Sequence, residues 1–219
     1  MANIKDNTVS AVNQMINSSL VYFLGNPNAK TKILIVGNSI TRHGPKADIG
    51  WHGDWGMAAS APEKDYVHRL FDMLNENGQD VLIRVSQCAN WERGFREQDV
   101  LSNFQEDRAF SADIVIFRLG ENVLAEDAPY IQEELIKFAD YLCPNGKVIF
   151  TTCFWKNEVV DNAITAVATM RNDVCIDGCF SNNEKNMALG EFEHAGVAMH
   201  PSDAGMEEIA KAIFSAIKI

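Results

Sequence analysis

At 219 residues, with 47% hydrophobic and 22% charged side chains, the chain has the length and balance of one globular domain with a sizeable core, which excludes disordered and fibrous classes. Its formal net charge of -11 sets most of the exterior against phosphates, so nucleic acid and anionic membrane are excluded as partners and small neutral or cationic molecules are favoured. The 5 cysteines, odd in number and scattered, are expected as reduced thiols in a cytoplasmic protein, with no metal set and no cofactor. The N-terminus lacks a basic segment followed by an apolar run, and nothing approaches the ~20 apolar residues of a membrane span.

In chain order, residues 8–24 place apolar side chains at helical spacing and stop at Gly25-Asn26-Pro27, which predicts a helix packed on the domain; residues 1–30 are expected as an N-terminal helical extension of a single domain covering 1–219. Ile33-Leu34-Ile35-Val36 closing at Gly37 is the pattern of a strand buried on both faces of a parallel sheet. A long segment rich in Gly, Trp and Ala follows from His43 to Pro62, and loops of that length are usually functional. Residues 65–77 predict an amphipathic helix and 81–85 a strand; a polar loop over 86–94 then leads into a weakly helical, charged stretch to about residue 108. Strands over 113–119, 147–152 and 174–176 alternate with helices over 130–142 and 157–170; 182–194 is expected as loop and 202–217 as a helix. That alternation predicts an α/β chain of βαβ units, a three-layer α/β/α sandwich with about five mostly parallel strands.

Ligands of open α/β sheets collect at the carboxyl ends of the strands. Ser39, two residues beyond the first buried strand, is therefore the first candidate nucleophile, although Asn38-Ser39 would also serve as a helix cap. A serine hydroxyl needs a base, and His200, at the start of the last helix, is of the right chemical type. Attack on an ester carbonyl develops an oxyanion that needs fixed donors. Asn122 offers a side-chain NH2, Gly120 lets its loop pass close to substrate, and the Ser39 N–H lies beside the nucleophile.

Gly37-Asn38-Ser39-Ile40, Gly120-Glu121-Asn122 and His200-Pro201-Ser202-Asp203 together resemble, in order, the nucleophile, Gly-x-Asn and His-Pro blocks of the SGNH/GDSL hydrolases. The resemblance implies a flavodoxin-like sandwich and a serine esterase or acylhydrolase, with a sugar-directed acyltransferase or a catalytically weak binding protein as alternatives on the same scaffold. Asn38 stands where that family usually has Asp. Ser86 to Trp91, directly after the second strand, stand where that family has a glycine donor, so the backbone donor is left open within Ala89, Asn90 and Trp91. Val197 replaces the acid three residues before the histidine; His200 is then oriented by a main-chain carbonyl or by a carboxylate, with Glu193 the nearest upstream and Glu191 next. Asn38, Trp51, Trp55, Asn90 and Trp91 are expected around the substrate. The tryptophans serve either as stacking platforms for an acetylated carbohydrate or as buried loop anchors. A small-molecule or carbohydrate ester is the expected ligand, and the oligomeric state is unknown.

Overall fold

The computed structural model describes residues 21–217. Six strands form one sheet: β1 (Val21–Gly25), β2 (Thr31–Gly37), β3 (Val81–Gln87), β4 (Ile114–Arg118), β5 (Lys147–Thr151) and β6 (Val174–Ile176), in the order β1-β3-β2-β4-β5-β6. All neighbours run parallel except β1, which lies antiparallel on β3. Residues 21–24, expected at the end of a helix, are therefore an edge strand. The remainder of that expected helix, and residues 1–20 of the expected extension, lie outside the described residues.

Strand β2 sits between β3 and β4, and alternation along it feeds two cores. Ile33 and Ile35 face α1 (Tyr66–Glu76), which Asp65 caps by accepting the His68 N–H at 2.8 Å. Leu34 and Val36 face the opposite layer, with α2 (Ala89–Gly94), α3 (Ile131–Leu142) and α4 (Glu158–Arg171). Helix α5 (Asp203–Ala216) lies beside α1 on the first face, capped by the Ser202 side chain. The segment expected as a polar loop over 86–94 contains α2, and the one over 182–194 contains short 3-10 turns.

The chain leaves β2 toward β3 on one side and enters β4 on the other, so the connections reverse direction between β2 and β4. A crevice opens outside the carboxyl ends of strands at such a reversal. The two segments that emerge there are Asn38-Ser39 and Gly120-Glu121-Asn122. No helix among the described residues is long and apolar enough to cross a membrane.

Candidate active site

Glycine is forced at two positions of this crevice. A Cβ on Gly37 would lie 1.8 Å from Thr41 Oγ1 and 2.8 Å from the Arg118 carbonyl, and Gly120 has φ of +130°, closed to side-chain-bearing residues, with Cys153 Sγ 2.6 Å from its would-be Cβ. These turns place half-buried Ser39 at the wall of a cleft of about 310 Å3, together with His200, Asn122 and Ala89.

Ser39 Oγ lies 2.9 Å from His200 Nε2, across 161 residues of sequence. The other ring nitrogen, Nδ1, lies 2.6 Å from the Gly196 carbonyl oxygen. A carbonyl only accepts, so Nδ1 carries the proton and Nε2 is the bare acceptor facing the serine hydroxyl. The main-chain carbonyl thus occupies the place of the acid, one residue before the buried Val197. Glu193 is exposed and lines a neighbouring groove. Burial lowers the His200 imidazole to about 4, with the Gly196 hydrogen bond pulling the other way. Trp155, which the sequence did not single out, stands edge-on to the ring at 5.3 Å. The His200 backbone is strapped by its carbonyl accepting the Ala188 N–H at 3.0 Å.

The other wall is organised by two buried carboxylates that sequence reasoning passed over. Glu92, fully buried on α2, accepts from Asn38 Nδ2 at 3.0 Å, Gly120 N at 2.6 Å and Asn122 Nδ2 at 2.7 Å. Burial pushes its carboxyl above the usual range, and neighbouring Glu121 adds to the rise. Glu121 accepts from Asn38 Nδ2 at 2.6 Å, Phe154 N at 2.7 Å and Arg118 Nη1 at 2.7 Å. Burial alone would raise it too, but the Arg118 guanidinium and these donors hold it below the ordinary carboxylate range. Asn38 is therefore no substrate contact: both of its amide protons are spent between the two carboxylates, and its Oδ1 accepts the Ile40 N–H at 3.2 Å. An aspartate, the residue usual in the family, would put a third acceptor between two others.

Asn122 is fixed just as firmly. Its Oδ1 accepts from Arg93 Nη2 at 2.7 Å while Nδ2 donates to Glu92, which settles the amide orientation and leaves one Nδ2 proton for the cleft. Among the residues considered for the backbone donor, Trp91 N–H is taken by Asn90 Oδ1, and Ala89 N–H bonds Gln87 Oε1 at 2.9 Å. Ala89 and Gln87 both line the cleft, whereas Asn90 does not.

The tryptophans are core residues, not platforms: Trp51, Trp55 and Trp91 are 2%, 6% and 1% exposed. Trp91 stacks on Phe138 at 4.6 Å beneath α2. Trp51 donates its indole N–H to the His43 carbonyl, and Trp55 donates to that of Ala59. Together with the Lys46–Trp51 bridge these bonds fold the 43–60 segment into a hydrogen-bonded flap that presents His43 and Lys46 to the cleft.

No protein-family model and no curated protein sequence matches the chain. Solved structures do. An acetylxylan esterase from Geobacillus stearothermophilus is 18% identical with a TM-score of 0.59, covering 87% of this chain and 95% of its own. An α/β hydrolase enzyme from the metagenome of Lake Arreo is 18% identical with a TM-score of 0.58, covering 86% and 95%. A G-D-S-L family protein from Desulfitobacterium hafniense is 16% identical with a TM-score of 0.55, covering 86% and 100%. The chain therefore has the fold of the GDSL and acetylxylan esterases, a mostly parallel six-stranded sheet between two helical layers.

Proposed function

We propose that the protein is a serine hydrolase of small or carbohydrate-linked acetyl esters. The observation that carries the reading is the 2.9 Å approach of Ser39 Oγ to the bare Nε2 of His200, in a cleft that also holds the Asn122 amide. Ser39 Oγ attacks the ester carbonyl carbon while its proton passes to His200 Nε2. The resulting oxyanion accepts from Asn122 Nδ2–H and Ser39 N–H, and from Ala89 N–H once the Gln87 side chain gives way. Collapse of this intermediate expels the alcohol, which takes the proton from His200 and leaves Ser39 acylated. Water deprotonated by the same imidazole then releases the carboxylic acid. Throughout, Nδ1–H stays on the Gly196 carbonyl, which fixes the tautomer but stabilises the imidazolium less than a carboxylate would.

Short acyl groups such as acetyl are favoured because Met57 and Val197, both buried and apolar, line the cleft that holds Ser39. The similar acetylxylan esterase is consistent with this. The test is labelling by a fluorophosphonate with intact-mass readout. One adduct is expected on Ser39 and none in Ser39→Ala; an unlabelled wild type, or an adduct elsewhere, rejects the assignment.

A further inference from the structure

The chain carries a formal net charge of -11, yet among the described residues that line the cleft there is no Asp or Glu. Two cations line it instead: Lys46 from the flap and Arg93 from α2. Both are built in. The Lys46 backbone bonds Trp51 in both directions, at 2.6 and 3.1 Å, and Arg93 is anchored on Asn122. On the same flap as Lys46, His43 Nδ1 bonds the Gly44 carbonyl at 2.6 Å. Burial keeps that ring below its usual pKa against the pull of the Gly44 hydrogen bond, and the Lys46 and Arg93 charges add to the lowering.

We infer that the ester hydrolysed here carries one anionic group, a carboxylate, on its alcohol part, held by Lys46 and Arg93 at the rim of the cleft. The inference rests on the esterase reading and narrows its substrate. The alcohol part is assigned because the buried lining of the cleft, Met57 and Val197, is apolar, while Arg93 is exposed and Lys46 half-buried. A single charge is assigned because the adjoining groove, which shares Ile49 and His194 with the cleft, is lined by Asp48, Glu191 and Glu193. An extended polyanion would meet those carboxylates. Asp48 also lies 3.5 Å from Lys46 Nζ, a loose pairing at an exposed position that a substrate carboxylate can outcompete. The whole-chain charge, which favours neutral or cationic partners, is thus reversed locally.

The test compares 3-acetoxybenzoate with 3-acetoxybenzamide, a near-isosteric pair of acetates, each enzymatic kcat/KM divided by the ester's own hydroxide rate. Wild type is expected to favour the benzoate by about 10-fold at low salt, the worth of two rim ion pairs. That preference should shrink several-fold in about 0.5 M salt, where the screening length falls to a few ångström. In Lys46→Gln the preference should fall by about 3-fold, and in Lys46→Glu it should vanish or invert. Equal rates on the pair, or a preference unaffected by salt and by both variants, overturns the inference. If neither acetate is turned over and Ser39 takes no fluorophosphonate, the esterase reading has failed separately. Titration with the products, 3-hydroxybenzoate against 3-hydroxybenzamide, then decides: tighter benzoate binding lost in Lys46→Glu supports the anion site, and equal binding overturns it.

Discussion

Asn38→Asp, which installs the residue usual in the SGNH/GDSL hydrolases that the sequence resembles, is expected to damage this protein. In the wild type the Asn38 amide donates to Glu92 Oε1 at 3.0 Å and to Glu121 Oε2 at 2.6 Å, inside a region with no exposed side-chain surface at position 38. A carboxylate there has nothing to donate, and it would face two acceptors that are both buried. The folded state can keep its geometry only by holding a proton on the introduced carboxyl, which restores one of the two hydrogen bonds. At about pH 7.5, some 3.6 units above the ordinary aspartate value, holding that proton costs about 5 kcal/mol. The second, charge-assisted bond adds ~1.5–3 kcal/mol. A combined loss of about 7 kcal/mol is of the order of a whole domain's stability.

The sign of the pH dependence follows from linkage. The introduced carboxyl has a raised folded-state pKa, so the folded state binds a proton that the unfolded state releases. Stability relative to wild type therefore recovers as pH falls toward the unfolded value near 4, by about 1.4 kcal/mol per unit. Urea unfolding followed by tryptophan fluorescence at about pH 7.5 and 5.5 should show the deficit shrinking by roughly 3 kcal/mol on acidification. A variant as stable as wild type at the higher pH, or a deficit equal at both, would refute the reasoning.

Glu92→Gln places an NH2 against one of the donors that the carboxylate now accepts; Asn122 loses its fixed orientation, and kcat on an acetate ester is expected to drop about 100-fold, as when one oxyanion donor is removed. A wild-type kcat alongside a lowered melting temperature would show the Glu92–Asn122 bond to be structural only. Because burial lowers His200 to about 4 and the neutral ring is the base, kcat/KM should stay level through mildly acid pH and fall tenfold per unit only below about 4; an acid limb near the ordinary histidine value would contradict this. Glu193→Gln should leave the rate within about 2-fold of wild type, since the Gly196 carbonyl already accepts Nδ1–H; a loss near that of neutralising a triad acid, about 10⁴-fold, would reinstate the glutamate.

The central strands and the helices on both faces were legible because their apolar periods come from the layers they face. Ser39 and the Gly120–Asn122 loop were legible for a related reason: a buried strand that ends at a glycine marks a sheet edge. Strand β1 was not. Val21-Tyr22-Phe23-Leu24 continues a helical spacing, and it takes its strand form from pairing with β3, some sixty residues away, a contact that leaves no local trace. Glu92 and Glu121 look like surface charges in sequence, because their donors arrive from three separate loops. Burial of the tryptophans was equally hidden, since a Gly-rich segment reads as an open loop until its indole N–H groups find their carbonyls.

The distance along the chain between Ser39 and His200 carries a consequence for how the protein is made. The imidazole reaches the serine only after α5 has docked on α1, a step clasped by Asp203 accepting from Ser60 N at 2.8 Å and Ser60 Oγ at 2.6 Å. A nascent chain with every strand in place still lacks its base until that late segment arrives. On the esterase reading, the hydroxyl therefore stays unactivated in partly folded intermediates, and reactivity switches on together with completion of the fold.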